Sequence, residues 1–442
     1  MRRKTTSIRT AAEIRPEPGR RYAAAPDLTL GHAVMHKFLG IRSGIALGAV
    51  LGLAACGAPS IKGPTCTGLV RAFDPAVSTT SRSDASAIGG DLFSGLFEAQ
   101  AGQNAILSRD GRRIPIEILA MTTGGQYGSF SSGALFGWPD TDKPAFNVVT
   151  GASAGALIAP LAFAGSEFDS SLPSNTGINT DDILTRNPLL ALPVSSSVYS
   201  TAKLKRRVGD QVSAKLISRI AQRARPGANG VSANTVAVGA VNLNNGRFDV
   251  LDIGQYLATT PDDEQTKKDC VTEAVLASSA IPVLFPPRRI NGDLYADAGV
   301  RQHVFLEKLA EGQRVATQRT GQAFDVRVTL LVNGDLVVDE QDQKTGIISL
   351  AERNFELVTD QGFRDSIDRT IRVVRQNKNW DFRALVAPVL DPNQCKDADP
   401  LFDACITQAL FDAGRNMTSA RPIQWLDADG LAQEINKIYE GK

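Results

Sequence analysis

The chain has few histidine, cysteine and aromatic residues, and it has no excess of one charge. It contains only three histidines and five cysteines in 442 residues, and 6% of its residues are aromatic. Its formal net charge of +1 gives no electrostatic bias towards nucleic acid. No GxxxxGKS/T phosphate loop and no paired CxxC spacing occurs. We therefore predict no nucleic-acid partner, no metal site and no cofactor.

No apolar run reaches the roughly 20 residues that a membrane-spanning helix requires. The strongest run, "GIALGAVLGLAAC", ends at Cys56 and follows the short basic segment 35–42. A basic flank, a short apolar core and small residues in this order are typical of a secretory signal peptide, with a buried core helix as the alternative. We predict that residues 35–55 are a signal peptide. Residues 1–34 have no apolar periodicity, so they are either a disordered extension or the product of a misassigned start.

The sequence "LAAC" at residues 53–56 resembles the lipobox of bacterial lipoproteins. This resemblance implies that Cys56 is acylated and becomes the first residue of the mature chain. Gly57 follows it, and the absence of an aspartate there implies sorting to the outer membrane. We therefore expect a lipid-anchored protein of the cell envelope, in the outer membrane of a Gram-negative bacterium, with the membrane surface as a partner. The sequence does not define the oligomeric state.

The remaining cysteines suit an oxidising compartment. If Cys56 is lipidated, four cysteines are left, which is enough for two disulfides. Cys395 and Cys405 flank a short Asp-rich loop and are the natural local pair, which leaves Cys66 to pair with Cys270. The alternative is four reduced, buried thiols.

Short apolar runs alternate with longer helical patterns from residue 106 onwards. The runs are mostly continuous in apolar character, as expected for strands buried on both faces. The candidate strands are residues 114–122, 146–150, 234–243 and 325–333. Asn245-Gly246 suits a tight hairpin turn, and helical periodicity is clearest over residues 350–374. We predict an α/β fold with a mostly parallel central sheet flanked by helices.

The sequence "NVVTGASAGALIAP" places Ser153 in a GxSxG motif between a candidate strand and a candidate helix. The motif alone is a weak signal, because glycine and serine are common enough here for a chance match. The strand-turn-helix context is that of a nucleophile elbow. The helix that follows would direct its N-terminal amides at Ser153, where negative charge develops during acyl transfer. Ser153 is therefore a candidate nucleophile.

Two further segments have the residue types that such a site needs. In "MTTGGQYGSF", Gly124 and Gly125 follow a candidate strand, so their backbone amides are available to an oxyanion. An ordinary glycine turn is the alternative. In "LYADAGV", Asp297 ends a short strand, which by itself indicates turn chemistry.

Together these segments resemble the patatin-like phospholipase family. The order is a glycine loop, the "GASAG" elbow, and an ending in which "ASSAIP" and "FPP" precede the aspartate. The resemblance implies a three-layer patatin-like fold with Ser153 as nucleophile and Asp297 as its partner in a Ser/Asp dyad. It implies an oxyanion hole formed by Gly124, Gly125 and Gln126. The family pattern GGGxRG has a glycine where Gln126 stands and an arginine that is absent here, and its DGG is "DAG".

The resemblance implies a serine acyl hydrolase that cleaves carboxylic esters of phospholipids or lysophospholipids through an acyl-enzyme. We predict that the hydrolase domain covers residues 106–380. Residues 56–105 would then be a tether and lead-in, and residues 381–442 a C-terminal extension.

Two alternatives to this function stay open. One is a non-catalytic, membrane-anchored lipoprotein with the same fold that binds lipids or a partner, which the altered glycine loop favours. The other is an esterase with a Ser/His/Asp triad. His303 is the only histidine after the signal segment, so it is the only candidate for a triad. We expect it at the surface or at the start of a helix, away from Ser153.

Overall fold

The four apolar runs predicted as strands lie side by side in the central sheet of the computed structural model. Every residue of two of these strands is buried, as their continuous apolar character predicts. The structure describes residues 60–72, 89–106, 111–188, 195–227, 230–334, 345–391, 393–396 and 398–440. The predicted extension, the predicted signal peptide and Cys56 lie outside these residues.

The strands and helices alternate along much of the chain. In chain order the strands are β1 Val70–Ala72, β2 Ile114–Met121, β3 Val148–Ala152, β4 Thr185–Arg186, β5 Tyr199–Ser200, β6 Thr235–Asn242, β7 Phe248–Asp252, β8 Arg288–Ile290, β9 Asp293–Ala296, β10 Phe324–Val332 and β11 Trp380–Val386. The helices are α1 Gly89–Gln103, α2 Ser129–Gly137, α3 Ala154–Ala164, α4 Thr180–Ile183, α5 Ala202–Gln211, α6 Ala214–Arg223, α7 Ile253–Thr259, α8 Glu264–Ser278, α9 Glu307–Thr320, α10 Ile347–Gln376, α11 Ala404–Ser419 and α12 Ala428–Glu440. Short 3₁₀ segments cover Gly125–Gly128, Ser166–Asn175 and Ala298–Val300.

The main sheet has the strand order β1-β7-β6-β3-β2-β10-β11. From β6 to β11 in this order, neighbouring strands run parallel. The antiparallel strands β7 and β1 close one edge, and β9 pairs antiparallel with the end of β6. The predicted turn at Asn245-Gly246 lies between β6 and β7, with Gly246 at a φ of 70°. The prediction of an α/β fold with a mostly parallel central sheet is confirmed.

Helices cover both faces of this sheet. One face packs against α2, α3, α6, α7, α8 and α11, and the other against α1, α9, α10 and α12. Side chains of β2 alternate between the two cores, with Leu119 and Met121 in the first and Ile116 and Ile118 in the second. The result is a three-layer arrangement. Within the part of the chain that the structure describes, no helix has both the length and the hydropathy needed to cross a bilayer.

The predicted tether at residues 56–105 needs correction. The described parts of this segment belong to the fold, because β1 pairs with β7 and α1 packs against α9. Residues Gly57–Lys442 accordingly form one compact unit. The three-residue strand β1 is too short for its alternation to be visible among the glycines and prolines that precede it.

The predicted C-terminal extension, residues 381–442, is also part of the fold. Strand β11 extends the parallel sheet beside β10, α11 packs against α2, and α12 packs against α10. The sequence shows no local sign of these contacts, because the partners of α11 lie far away in the chain. The predicted domain of residues 106–380 therefore lacks both edge strands of the main sheet, β1 and all but the first residue of β11, and part of both helical layers.

Both predicted disulfides are present. Cys66 is bonded to Cys270 with a Cα–Cα distance of 5.8 Å, and Cys395 to Cys405 with a distance of 5.7 Å. The first joins the segment before β1 to α8, and the second closes a short loop before and at the start of α11. The alternative of four reduced thiols is not what the structure shows.

Candidate active site

Ser153 lies between β3 and α3, at the sheet edge where the parallel strands β2 and β3 both end. Its backbone has a φ of 49° and a ψ of −113°. A positive φ is uncommon for a residue with a side chain, and such strain is typical of a nucleophile at a sharp strand-to-helix turn. The predicted elbow is therefore formed.

Gly151 and Gly155 allow this turn to close. A Cβ atom at residue 151 would lie 2.4 Å from the carbonyl oxygen of Gly155, and one at residue 155 would lie 2.6 Å from that of Met121. Both distances are shorter than real Cβ contacts, and the atoms met are backbone atoms that cannot move aside. The GxSxG spacing thus follows from the packing of the turn on itself and on β2.

Asp297, which directly follows β9, is the hydrogen-bond partner of the serine. Ser153 Oγ donates to Asp297 Oδ2 at 2.6 Å. The other carboxylate oxygen, Oδ1, accepts the backbone N–H of Gly299 at 2.7 Å. The serine is only 5% exposed and the aspartate only 3% exposed. The structure therefore brings the two predicted catalytic residues into direct contact.

Burial changes the acidity of this carboxyl group. It raises the pKa of Asp297 to about 6, and the hydrogen bonds from Ser153 and from the N–H of Gly299 oppose only part of that change. At neutral pH the group is mainly ionised, and it is a stronger base than an ordinary aspartate.

The "ASSAIP" segment holds the backbone of the serine. Ser153 N–H donates to Ser278 Oγ at 3.0 Å, and Ser279 Oγ donates to the carbonyl oxygen of Ser153 at 3.0 Å. Both serines lie at the end of α8. The motif alone predicts no such contact, and the two hydroxyl groups hold the backbone of the elbow in place.

The glycine loop contributes two of its three predicted residues to the pocket at Ser153. Gly125 and Gln126 line this pocket, whereas Gly124 is not among the described residues that do. Gly124 instead directly precedes the 3₁₀ segment as its N-cap, and its carbonyl oxygen accepts the N–H of Tyr127 at 2.9 Å. The first N–H groups of such a turn have no partner within it, so this loop can offer backbone donors beside the serine.

The side chain of Gln126 is bound to the C-terminal part of the chain. Its Oε1 accepts the N–H of Asp403 at 2.9 Å, and its Nε2 donates to the carbonyl oxygen of Pro400 at 3.3 Å. These two residues lie in the loop closed by Cys395 and Cys405. The residue that departs from the family pattern thus has its own support, and we name this pair of hydrogen bonds the Gln126 clamp.

Asn333 fixes both ends of the glycine loop and was missed in the sequence. Its Nδ2 donates to the carbonyl oxygen of Thr122 at 3.0 Å, and its Oδ1 accepts the Oγ–H of Ser131 at 2.6 Å. The side chain is fully buried. Asn333 directly follows β10, and a polar residue at the carboxyl end of a buried parallel strand is the signal that could have identified it.

His303 is buried, so the prediction of a surface or helix-start position was wrong. It is 3% exposed, and its Nδ1 shares a hydrogen bond with Thr123 Oγ1. Its backbone N–H donates to Ser366 Oγ, and its ring packs edge-on against Phe363. Burial lowers the pKa of His303 to about 4, so the imidazole is neutral at pH 7.

The position of His303 follows from the path of the chain after Asp297. A single 3₁₀ turn, Ala298–Val300, is followed by residues that pass along the glycine loop, where the N–H of Thr123 donates to the carbonyl oxygen of His303. In the described part of the chain, this histidine thus forms its hydrogen bonds with the glycine loop and with α10. It supports the loop, while Asp297 contacts the nucleophile.

The pocket at Ser153 is mostly apolar. Helices α3 and α5, the residues around α4 and the segments after α8 and before α11 supply its walls. The apolar lining residues are Ala154, Leu157, Ile158, Ile178, Ile183, Leu204, Val208, Ile281, Phe285 and Phe402. Such walls suit a hydrocarbon chain attached to the group that Ser153 attacks.

A model of the patatin-like phospholipase family matches residues 119–309. Residues 119–309 form a patatin-like phospholipase domain. The match includes the glycine loop, the elbow and Asp297, so the patatin-like domain contains each motif that the sequence analysis connected to the family. Members of this family are lipid acyl hydrolases, and the apolar pocket at the serine is consistent with a lipid as the substrate.

Among solved structures, the chain is similar to the crystal structure of VipD from Legionella pneumophila, with 10% identity and a TM-score of 0.34. The match covers 68% of this chain and 66% of the VipD chain, so it spans just under two thirds of the length of VipD. No curated protein matches the chain. The assignment of the patatin-like domain rests on the family match.

Proposed function

We propose that the protein hydrolyses carboxylic esters of phospholipids or lysophospholipids through an acyl-enzyme on Ser153. The observation that carries this proposal is the 2.6 Å hydrogen bond from Ser153 Oγ to the buried Asp297, at the wall of an apolar pocket. The patatin-like domain supports the choice of a lipid ester as substrate.

Asp297 acts first as the general base. It accepts the Ser153 proton as Oγ attacks the ester carbonyl carbon, and a tetrahedral oxyanion forms. Backbone N–H groups of Gly125 and Gln126 donate to that oxyanion, with Gly124 setting the start of the turn. The N-terminus of α3, an 11-residue helix that begins at Ala154, adds the positive end of its dipole.

Asp297 then acts as the acid. It returns the proton to the ester oxygen of the leaving alcohol, the carbon–oxygen bond breaks, and the acyl group stays on Ser153. In the second half of the reaction Asp297 accepts a proton from water, which attacks the acyl-enzyme. The fatty acid leaves and the serine recovers its proton, so the enzyme is unchanged by one turnover.

The test is hydrolysis of a panel of phospholipids, lysophospholipids and short aryl esters by the purified protein. We expect Ser153→Ala to abolish hydrolysis and to keep the unfolding temperature, because the hydroxyl is the nucleophile and fills little volume. Ser129→Ala removes another hydroxyl from the same pocket and serves as the matched control. Equal activity of wild type and Ser153→Ala would favour the non-catalytic lipoprotein.

We further propose that acylated Cys56 holds the mature protein at the outer membrane. The lipobox-like sequence at residues 53–56 supports this location. So do the two disulfides formed by the other four cysteines, since such bonds persist in oxidising compartments. Cys56→Ser should release the protein to the soluble fraction or stop its processing. Unchanged partition of the variant into membranes would contradict the anchor.

A further inference from the structure

Arg207 is a feature of the pocket that the proposed hydrolysis does not use. It is the only charged side chain among the described residues that line the pocket at Ser153. Leu204, Val208 and Gln211 line the pocket from the same helix, α5. Spacings of three and four residues place side chains on one helix face, so the guanidinium belongs to the face of α5 that forms the pocket wall.

No carboxylate of the described residues compensates this charge. One Nη of Arg207 donates to the carbonyl oxygen of Ser174, and its Nε is buried and has no hydrogen-bond partner in the described part of the chain. Lys205, two residues earlier, is different because it forms an ion pair of 2.7 Å with Glu273. A partly buried cation without a counter-ion beside apolar walls is costly, and an anion that enters the pocket removes that cost.

The helix that carries Arg207 is held in place independently of any ligand. Glu273 on α8 is almost completely buried, and it accepts hydrogen bonds from both Lys205 on α5 and Arg288 on β8. Gln211 at the end of α5 donates to Ser174 Oγ at 2.7 Å. The guanidinium is therefore presented by a fixed helix, and its donors do not have to be ordered when a ligand binds.

We propose that Arg207 binds the phosphate group of the lipid whose acyl ester lies at Ser153. The protein would thereby select phosphate-bearing lipid esters over neutral ones, an inference that rests on the proposed hydrolase function. A guanidinium presents N–H donors in a planar fork that matches two phosphate oxygens. Ser153 and Arg207 line the same pocket, so one bound lipid can place its ester at the serine and its phosphate at the guanidinium.

The first test compares two substrates that differ only in the phosphate, 1-octanoylglycerol 3-phosphate and 1-octanoylglycerol, with the full chain in neutral detergent. We expect wild type to have at least a tenfold higher kcat/KM for the phosphate ester. Arg207→Gln should remove most of this preference, chiefly through KM, and Arg207→Lys should keep part of it because the charge remains without the fork. The matched control Arg206→Gln removes an exposed charge from the same helix and should keep the wild-type preference.

Three results would overturn the inference. A wild type without the preference would show that no phosphate is selected. Retention of the preference in Arg207→Gln would place the phosphate elsewhere. An equal loss on both substrates would show that Arg207 only supports the backbone of Ser174.

A second test measures binding without hydrolysis. Calorimetry with the ether analogues 1-O-octylglycerol 3-phosphate and 1-O-octylglycerol should show at least tenfold tighter binding of the phosphate compound, and Arg207→Gln should lose that difference. This binding preference in a protein that hydrolyses neither ester would refute the proposed function and retain the phosphate site. Hydrolysis of the esters without any binding preference would support the proposed function and refute the phosphate site. If inorganic phosphate competed with the ether phosphate as strongly as a lipid phosphate does, the site would bind a free phosphate ion and not specifically the phosphate of a lipid.

Discussion

The two sides of the candidate site are held in place by different parts of the chain. The nucleophile side depends on segments that motifs mark in the sequence, with Ser153 bonded directly to Asp297. The glycine-loop side depends on residues outside the loop motif: Asn333 after β10, the buried His303, and residues 400–403 before α11. Both sides depend on tertiary contacts, but motifs mark the partners on the nucleophile side and no motif marks those on the glycine-loop side.

Breaking the nucleophile side should have the largest effect. Asp297→Asn keeps the size of the side chain but cannot accept the Ser153 proton, so we expect kcat to fall by about 10³-fold. Steady-state hydrolysis of a lysophospholipid measures this loss, with circular dichroism to show that the fold is kept. A loss of less than about tenfold would show that another group is the base.

Breaking the Gln126 clamp should have a smaller effect that is confined to turnover. Gln126→Ala removes both hydrogen bonds to residues 400–403, so the loop loses its fixed position while its backbone donors remain. We expect kcat to fall by about tenfold, less than when an oxyanion donor is removed outright, with little change in KM. Gln126→Glu keeps an acceptor for the Asp403 N–H and should lose less than Gln126→Ala. Equal values of kcat for wild type, Gln126→Ala and Gln126→Glu would show that the Gln126 clamp does not contribute to turnover.

The two disulfides allow the effect on turnover to be separated from the effect on stability, because only one of them lies next to the Gln126 clamp. Cys395–Cys405 closes a separation of 10 residues next to the clamp, and Cys66–Cys270 closes one of 204 residues far from the glycine loop in sequence. By chain entropy the first is worth about 3 kcal/mol of unfolding free energy and the second about 5 kcal/mol.

Replacing Cys395 and Cys405 with serine should therefore lower kcat as Gln126→Ala does, at the smaller cost in stability. The two changes should not add when combined, because they act on one contact. Replacing Cys66 and Cys270 should lower the unfolding temperature more and kcat less. Kinetics and thermal unfolding of both double variants measure the difference, and the opposite ranking would contradict it.

The pH dependence of kcat/KM should reflect the ionisation of Asp297 alone. Burial raises the pKa of this group to about 6, so the carboxylate that accepts the serine proton is lost as the pH falls below that value. We expect kcat/KM to rise with pH through about 6 and to fall about fivefold between pH 6 and pH 5. Burial lowers the pKa of His303 to about 4, so the histidine stays neutral across this range. A profile that is flat down to pH 5 would contradict a base with this pKa.

The smallest effect is expected for His303→Ala. The histidine supports the glycine loop through Thr123 and does not bond to Ser153 in the described structure, so turnover should fall by less than about tenfold. Kinetics at pH 8 measure this fall beside that of Asp297→Asn. The opposite ranking, with His303→Ala inactive and Asp297→Asn mildly impaired, would support the triad esterase.

The same difference between the two sides explains what the sequence could predict. Ser153 and the four central strands were predictable, because the elbow and the buried strands each need particular residues at short spacing. The role of Asp297 came only from the family resemblance of the segments around it. The surroundings of Gln126 and His303 were not, because their partners are distant in the chain and no motif marks them. The predicted tether and extension failed for the same reason, since β1 and β11 are defined by the strands they pair with.

The central claim is that Asp297 activates Ser153, and a fluorophosphonate probe tests it most directly. The probe phosphonylates an activated serine, and mass spectrometry of the digested protein locates the label. We predict labelling of Ser153 alone at pH 8, at a rate that falls by about 10³-fold in Asp297→Asn and by less than about tenfold in His303→Ala. Labelling at another serine, or an undiminished rate in Asp297→Asn, would contradict the dyad.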